Sequence, residues 1–221
     1  TKYLLDGFNG QFPNNALTQD HILSTWAGVR PVIGAENSKN PSKERRDHAV
    51  WTDKGLVTVS GGKLTTFRLI ALDALAAAER NLPSPKEFID DSMFPTPSLS
   101  SDSLLPENTS LAQRLLGRYG EKAKILLETS TANERLTIGE TEFSMAECRW
   151  AIRNEAVEHL DDLLLRRTRL GMCLPNGGDS LFPALKALFF SERNWDDELW
   201  QKELDRYKAI WQRHYSLPQK S

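Results

Sequence analysis

Cysteine, charge imbalance and long apolar runs are all scarce in this sequence, and each scarcity removes a class of protein. The two cysteines, Cys148 and Cys173, stand apart from each other and from any CxxC spacing. Neither a disulfide framework nor a thiolate zinc site is supported, and a reducing cytosolic compartment is expected. Lys and Arg total 28 against 30 Asp and Glu, a formal charge of -2. A surface so near neutrality exerts no general attraction on nucleic acid or anionic lipid, so no nucleic-acid partner is expected. No stretch approaches the roughly 18 apolar residues of a spanning helix. Even the most apolar run, 69–78, is interrupted by Asp73, so any membrane contact is expected to be peripheral. The chain opens on Thr1 with no basic segment leading into an apolar one. No export signal is therefore visible, and truncation is expected. A GxGxxG, a GxxxxGK[ST] loop and a fixed-period repeat are also missing.

What is present is ordinary globular composition: 221 residues, 39% hydrophobic and 26% charged, enough for one large domain or two small ones. Near the N-terminus, Tyr3, Leu4, Leu5, Phe8 and Phe12, then Ile22, Leu23 and Trp26, suit helices or helix ends, and Thr18 before Asp20 reads as a helix start. Residues 34–47 are polar and rich in Gly, Asn, Ser and Pro, the composition of an exposed, mobile loop. Two β-prone runs, 49–52 and 56–60, flank the turn residues Asp53, Lys54 and Gly55, which predicts a hairpin. Residues 63–80 carry the clearest helical pattern of the first half, entered directly from Gly61 and Gly62.

Pro83, Pro85, Pro95, Pro97 and Pro106 mark an interdomain connection. The expected organisation is a first piece over 1–82, a Pro/Ser-rich linker over 83–105 and an all-α domain over 106–221. Helices are expected at 110–119, 121–129, 144–165, 178–191 and 195–215. In the third, Trp150, Val157, Leu160 and Leu164 form an apolar stripe, opposite Glu147, Glu155, Glu158 and Asp161. Ser144 with Glu147 makes a capping box at its start, and LRRTR at 165–169 is expected to cap its C-terminal end. The fold class is mainly α (α+β): four to five C-terminal helices, preceded by a β-hairpin and a helix.

Three segments can carry chemistry: WAGVRPV at 26–32, RRDH at 45–48 and SGGKLTTFR at 60–68. In the last, two residues without side chains let a ligand approach the backbone, while a following helix start favours negative charge. Lys63 adds a full positive charge, and Thr65 and Thr66 add hydroxyls. A Gly-Gly pair is equally an ordinary way to end a strand, and spacing alone leaves both readings open. Arg30 stands beside Pro31 in apolar surroundings, where a guanidinium usually pairs with a carboxylate or phosphate, because burying it alone is costly. A structural ion pair is the commoner case for such a residue, and a solvated charge run is the plainer reading of Arg45, Arg46 and His48. His159 and His214 are isolated on helical segments and read as structural.

Taken together, YLLDGFN at 3–9, AGVRPV at 27–32, RDH at 46–48, GGKLTTFR at 61–68 and AIRNEAVEHLDDLLLRRTRLGM at 151–172 resemble the FAD-dependent glycerol-3-phosphate dehydrogenase family, aerobic type. That family's chain is roughly twice as long and carries its GxGxxG in the N-terminal part, so the resemblance implies a C-terminal fragment, inactive alone and not expected to bind FAD by itself. It implies that Gly61, Gly62, Lys63, Leu64 and Thr65 lie against the pyrimidine side of the flavin. It also implies that Arg30 sits over the flavin beside the substrate carbinol, with Lys63 as a further catalytic group and with Arg46 and Lys63 as partners of the substrate phosphate. The implied reaction converts sn-glycerol 3-phosphate to dihydroxyacetone phosphate by hydride transfer to FAD, with electrons passed to quinone. No metal is implied. Phe67 stands where the family often has Tyr.

The same resemblance implies a cytoplasmic location, peripheral to the inner face of the membrane, and a homodimer as a possible state. Two other readings remain: an oxidase passing electrons to oxygen, mildly disfavoured by the short 34–47 loop, and a helical module binding a protein or membrane through 106–221.

Overall fold

The computed structural model describes residues 1–29, 47–79, 82, 98, 100–105 and 108–217. The polar loop expected at 34–47 and the linker at 83–105 lie mostly outside these residues. The chain divides into two compact units, one made of Thr1–Ala27 with Pro95–Ser221 and the other of Gly28–Phe94.

In the first unit, α1 (Lys2–Gln11) carries Tyr3, Leu4 and Phe8 but buries none of its residues. Asn9 closes the chain behind it, donating to the Leu17 carbonyl at 2.9 Å and accepting from the Leu17 N–H at 2.8 Å. The start expected at Thr18 yields only a 3-10 turn, Gln19–His21. This segment is tied to the helical half by Ser24, which donates to the Met172 carbonyl, and by Thr25. The Thr25 N–H and hydroxyl reach the Tyr215 and Ser216 carbonyls at 2.8 and 3.1 Å.

The second unit is an antiparallel hairpin, β1 (His48–Asp53) with β2 (Leu56–Gly61), followed by α2 (Phe67–Ala78). Lys54 and Gly55 both take positive φ, 46° and 86°, the two-residue turn whose twist matches a hairpin.

Beyond residue 100 the first unit is helical: α3 (Ser101–Leu104), α4 (Thr109–Tyr119), α5 (Lys122–Glu128), α6 (Met145–Asn154), α7 (Leu170–Cys173), α8 (Phe182–Arg193) and α9 (Asp197–His214). The mainly α class and the hairpin are both present. The Asn108 and Asp196 side chains cap α4 and α9 by accepting the N–H of Leu111 and Leu199 at 3.0 and 2.8 Å. One core joins Leu160, Leu163, Leu164, Leu170 and Leu185 to Phe189, Trp195 and Trp200; a second joins Leu115, Leu126 and Ala146 across α4, α5 and α6.

The expected helix over 144–165 is broken in two. α6 ends at Asn154, and Ala156 adopts a left-handed φ of 50° that an α-helix cannot contain. The Asp162 carboxylate then accepts the N–H groups of Glu158 and His159 at 3.1 and 3.0 Å, and residues Asp162–Arg167 wind as a π-helix. Arg167 Nε donates to the Glu155 carbonyl at 2.5 Å, so part of the LRRTR run does cap α6. Arg166 instead pairs with Asp161 and Asp162 at 2.6 and 2.5 Å.

The acidic face expected on that helix is also corrected. Glu147 is 0% exposed and Asp161 1%, because each is a node for donors from other elements. Glu147 accepts from Arg114 of α4 in a two-pronged pair, from the Ser144 N–H at 3.0 Å and from Tyr119 at 3.2 Å. Asp161 receives Arg166 and, from α9, Arg206. His159 is structural, paired with Glu203 at 3.0 Å. α6 is joined to α8 by Arg149 and Arg153, which both hold Glu192, while Arg149 also holds Glu134.

Removing one partner of a buried pair strands the other. Glu147→Ala is therefore expected to lower stability by about 3 kcal/mol, read from the urea midpoint, and the double variant Arg114→Ala/Glu147→Ala to recover part of the loss. Hydrogen bonds from Arg153 hold the Glu192 carboxyl below its ordinary range against partial burial, and Arg149 adds to this. At Glu134 partial burial pushes upward, and the Thr131 N–H and Arg149 outweigh it. Both carboxyls contribute stability that is complete above the ordinary carboxylate range, about pH 4, and is lost as pH falls through their lowered folded values. The urea midpoint is expected to fall on acidification through that range, and to fall less in Glu192→Gln.

Candidate functional site

The Gly28–Phe94 unit gathers the candidate residues at one junction. β2 runs out through Gly61 (φ 79°) and Gly62 (φ 81°), Lys63 is extended, and Leu64–Thr66 form a 3-10 turn that leads into α2. The register places His48 opposite Gly61. A Cβ on Gly62 would stand 2.6 Å from Ile70 Cδ1 and 3.1 Å from His48 Cβ. Gly62 is thus demanded twice, by its left-handed backbone and by the approach of β1 and α2. A hydrogen bond between His48 Nε2 and Asp73 Oδ2, 2.6 Å long, fastens the start of β1 to the middle of α2.

Gly61, Gly62, Lys63, Leu64 and Thr65 are therefore brought together, on a backbone that turns from strand to helix. Leu64 is 88% exposed, and Lys63 and Thr65 are exposed beside it. The first N–H groups of a helix have no intrahelical partner, so this turn presents donors to whatever lies outside it. The Thr66 hydroxyl is not among them, since it donates to the Lys63 carbonyl at 3.0 Å and closes the turn. Phe67 is 43% exposed at the start of α2. Lys63 makes no ion pair among the described residues. Arg30 and Arg46 lie outside the described residues, so the geometry bears on the five junction residues.

Sequence reasoning passed over His48, Ile70 and Asp73 as parts of this junction. Asp73 carried a signal, as the single carboxylate in an otherwise apolar helical run. Among the described residues, no group of His, Cys, Asp or Glu is placed to hold a metal ion, and no helix is long and apolar enough to cross a membrane.

Residues 96–199 match the family described as the C-terminal domain of alpha-glycerophosphate oxidase. The matched stretch runs from just before α3 to the first turn of α9; Trp200, Leu204 and Tyr207, farther along α9, belong to the core of this chain's helices. The chain is also similar to the mitochondrial glycerol-3-phosphate dehydrogenase of Macaca fascicularis, 28% identical over 206 residues, covering 86% of this chain and 28% of that protein. The aerobic glycerol-3-phosphate dehydrogenase of Staphylococcus saprophyticus is 29% identical over 193 residues, 75% of this chain and 33% of that protein. The aerobic enzyme of Staphylococcus aureus is 43% identical over 81 residues, 36% of this chain and 14% of that protein. The chain thus spans about a third or less of the length of these relatives.

A side chain at Gly62 has to bear left-handed strain of about 1–2 kcal/mol. Gly62→Ala is expected to destabilise the hairpin–α2 unit by that order, seen as earlier loss of amide protection in β2. Shortening the opposing side chain in Gly62→Ala/Ile70→Val is expected to restore only the part due to crowding.

Proposed function

We propose that this chain is the C-terminal part of an FAD-dependent glycerol-3-phosphate dehydrogenase, which oxidises sn-glycerol 3-phosphate to dihydroxyacetone phosphate and passes the electrons to quinone. The observation that carries the reading is the open strand–Gly61–Gly62–Lys63–helix turn, in a chain whose relatives are named as glycerol-3-phosphate dehydrogenases. The residues present fit one edge of a flavin: a backbone free of side chains at Gly61 and Gly62, helix-start donors at Leu64 and Thr65, and a cation at Lys63. FAD, when bound, supplies the acceptor for the C2 hydride.

The chain's own residues have three tasks in this reading. Gly61, Gly62 and Leu64 offer main-chain contact to the pyrimidine side of the flavin, and Thr65 a hydroxyl. The helix start and Lys63 favour negative charge there and on the substrate phosphate. Arg30 orients the carbinol, and Arg46 shares the phosphate with Lys63, in charge-assisted bonds suited to a dianion. His48 and Asp73 hold the turn in shape. The helical domain is a candidate for peripheral contact with the cytoplasmic face of the membrane or with a second copy.

The names of the relatives favour a dehydrogenase, whereas the family description, alpha-glycerophosphate oxidase, supports oxygen as the alternative acceptor. Assay of the intact enzyme with a soluble quinone and with oxygen separates the two. In the intact enzyme, Lys63→Ala and Arg30→Ala are expected to retain FAD and lose most turnover; unchanged kinetics would remove these residues from the site. FAD titration is expected to show binding and substrate-dependent bleaching only in the intact enzyme. Tight binding by this chain alone would overturn the fragment reading, and no bleaching in either would favour a helical interaction module.

A further inference from the structure

The helical unit contains a groove that the glycerol 3-phosphate reading does not use. α5 presents Lys122 and Ile125, and α6 presents Ala146, Arg149, Trp150 and Arg153, each set at three- and four-residue spacing, so one face of each helix meets the other. Between them lies a cavity of about 420 Å³, within the range of pockets that hold small organic ligands. Its apolar wall is open to solvent: Ile125 is 51% exposed, and Trp150, set edge-on to Tyr119 at 6.2 Å, is only half-buried.

Among the described residues, three cations line the groove and no carboxylate does. Arg149 is committed to Glu134 and Glu192, and Arg153 to Glu192. The neighbouring carboxylate Glu121 accepts the Ser98 hydroxyl at 2.9 Å. Lys122 makes no ion pair among the described residues. The groove therefore combines an apolar wall with an exposed cation that makes no ion pair among the described residues.

We propose that the α5–α6 groove binds a small amphiphilic anion free in solution, its apolar tail against Ile125 and Trp150 and its acidic head at Lys122. A neutral molecule of the same shape would gain nothing from the Lys122 charge, and a short polar anion would leave the apolar wall in water. The groove uses none of the residues of the Gly61–Thr65 turn, and its test does not depend on turnover.

The test is titration of the 221-residue chain with decanoate and with decanol, both kept below aggregation, followed by the indole N–H signals in NMR spectra. Trp150→Phe assigns the signal from the groove. Decanoate is expected to shift that signal saturably and to bind about tenfold more tightly than decanol, the worth of one charge-assisted contact. Lys122→Glu is expected to abolish the preference and Lys122→Arg to keep it; Ile125→Ser is expected to weaken both ligands. Equal affinity for the two ligands overturns the proposal, as does unchanged decanoate binding in Lys122→Glu. Shifts confined to the exposed Trp26 and Trp51, or binding only to vesicles of anionic phospholipid, overturn it as well.

Discussion

A carboxylate with no exposure to water governs the helical unit. Glu147 lies in the first turn of α6, and an anion there has to be met by donors from every side or the fold loses more than it gains. Arg114 comes from α4, Tyr119 from the end of the same helix, and the Ser144 N–H from the cap of α6 itself. One side chain thereby fixes where α6 begins and how α4 lies against it. Arg114 and Arg118 of α4 both stand over the Phe143 ring, at 5.5 and 5.0 Å, and Arg118 reaches the Arg167 carbonyl at 2.6 Å. The second core, with Leu115, Leu126 and Ala146, closes beneath that arrangement.

Asp161 plays the corresponding part at the other end of the α6 region. With Arg166 and Arg206 converging on it, it binds the π-helix to α9. The chain between the two carboxylates has to turn, and Ala156 does so at a positive φ. Two buried anions with partners on different helices thus set the path of residues 144–168, and the large apolar side chains fill the space that path leaves. The Gly28–Phe94 unit is organised differently, by backbone: Gly61 and Gly62 redirect β2 into α2, and the His48–Asp73 bond braces the redirection. A turn shaped in this way leaves the backbone at Gly61 and Gly62 free of side chains.

Much of this was legible in the residues. The hairpin could be read from two β-prone runs around Lys54–Gly55, α2 from its spacing, and α4, α5 and α9 from their helical pattern. The capping box of α6 needed only Ser144 and Glu147 at the right interval. The junction residues Gly61 to Thr65 adjoin one another in sequence, so their gathering followed from local backbone chemistry. His48, Ile70 and Asp73 were not legible as parts of that junction, since they meet it only when the hairpin folds onto α2. The break after Asn154 was hidden because residues 144–165 keep a helical pattern in composition, and the charges that interrupt it find their partners up to 45 residues away.

The sequence by itself determined the mainly α class, the hairpin, the caps and the strand–glycine–helix turn, because each depends on neighbours within a few residues. Only the tertiary structure decided which acidic residues face water and which are buried. That choice depends on whether an arginine from a distant helix arrives to compensate the lost hydration, and no local pattern of Glu147 or Asp161 records where Arg114 and Arg206 will be. It also decided that Thr1–Ala27 packs with the helices of Pro95–Ser221, through backbone carbonyls of residues 172, 215 and 216 that carry no mark of their own in the sequence.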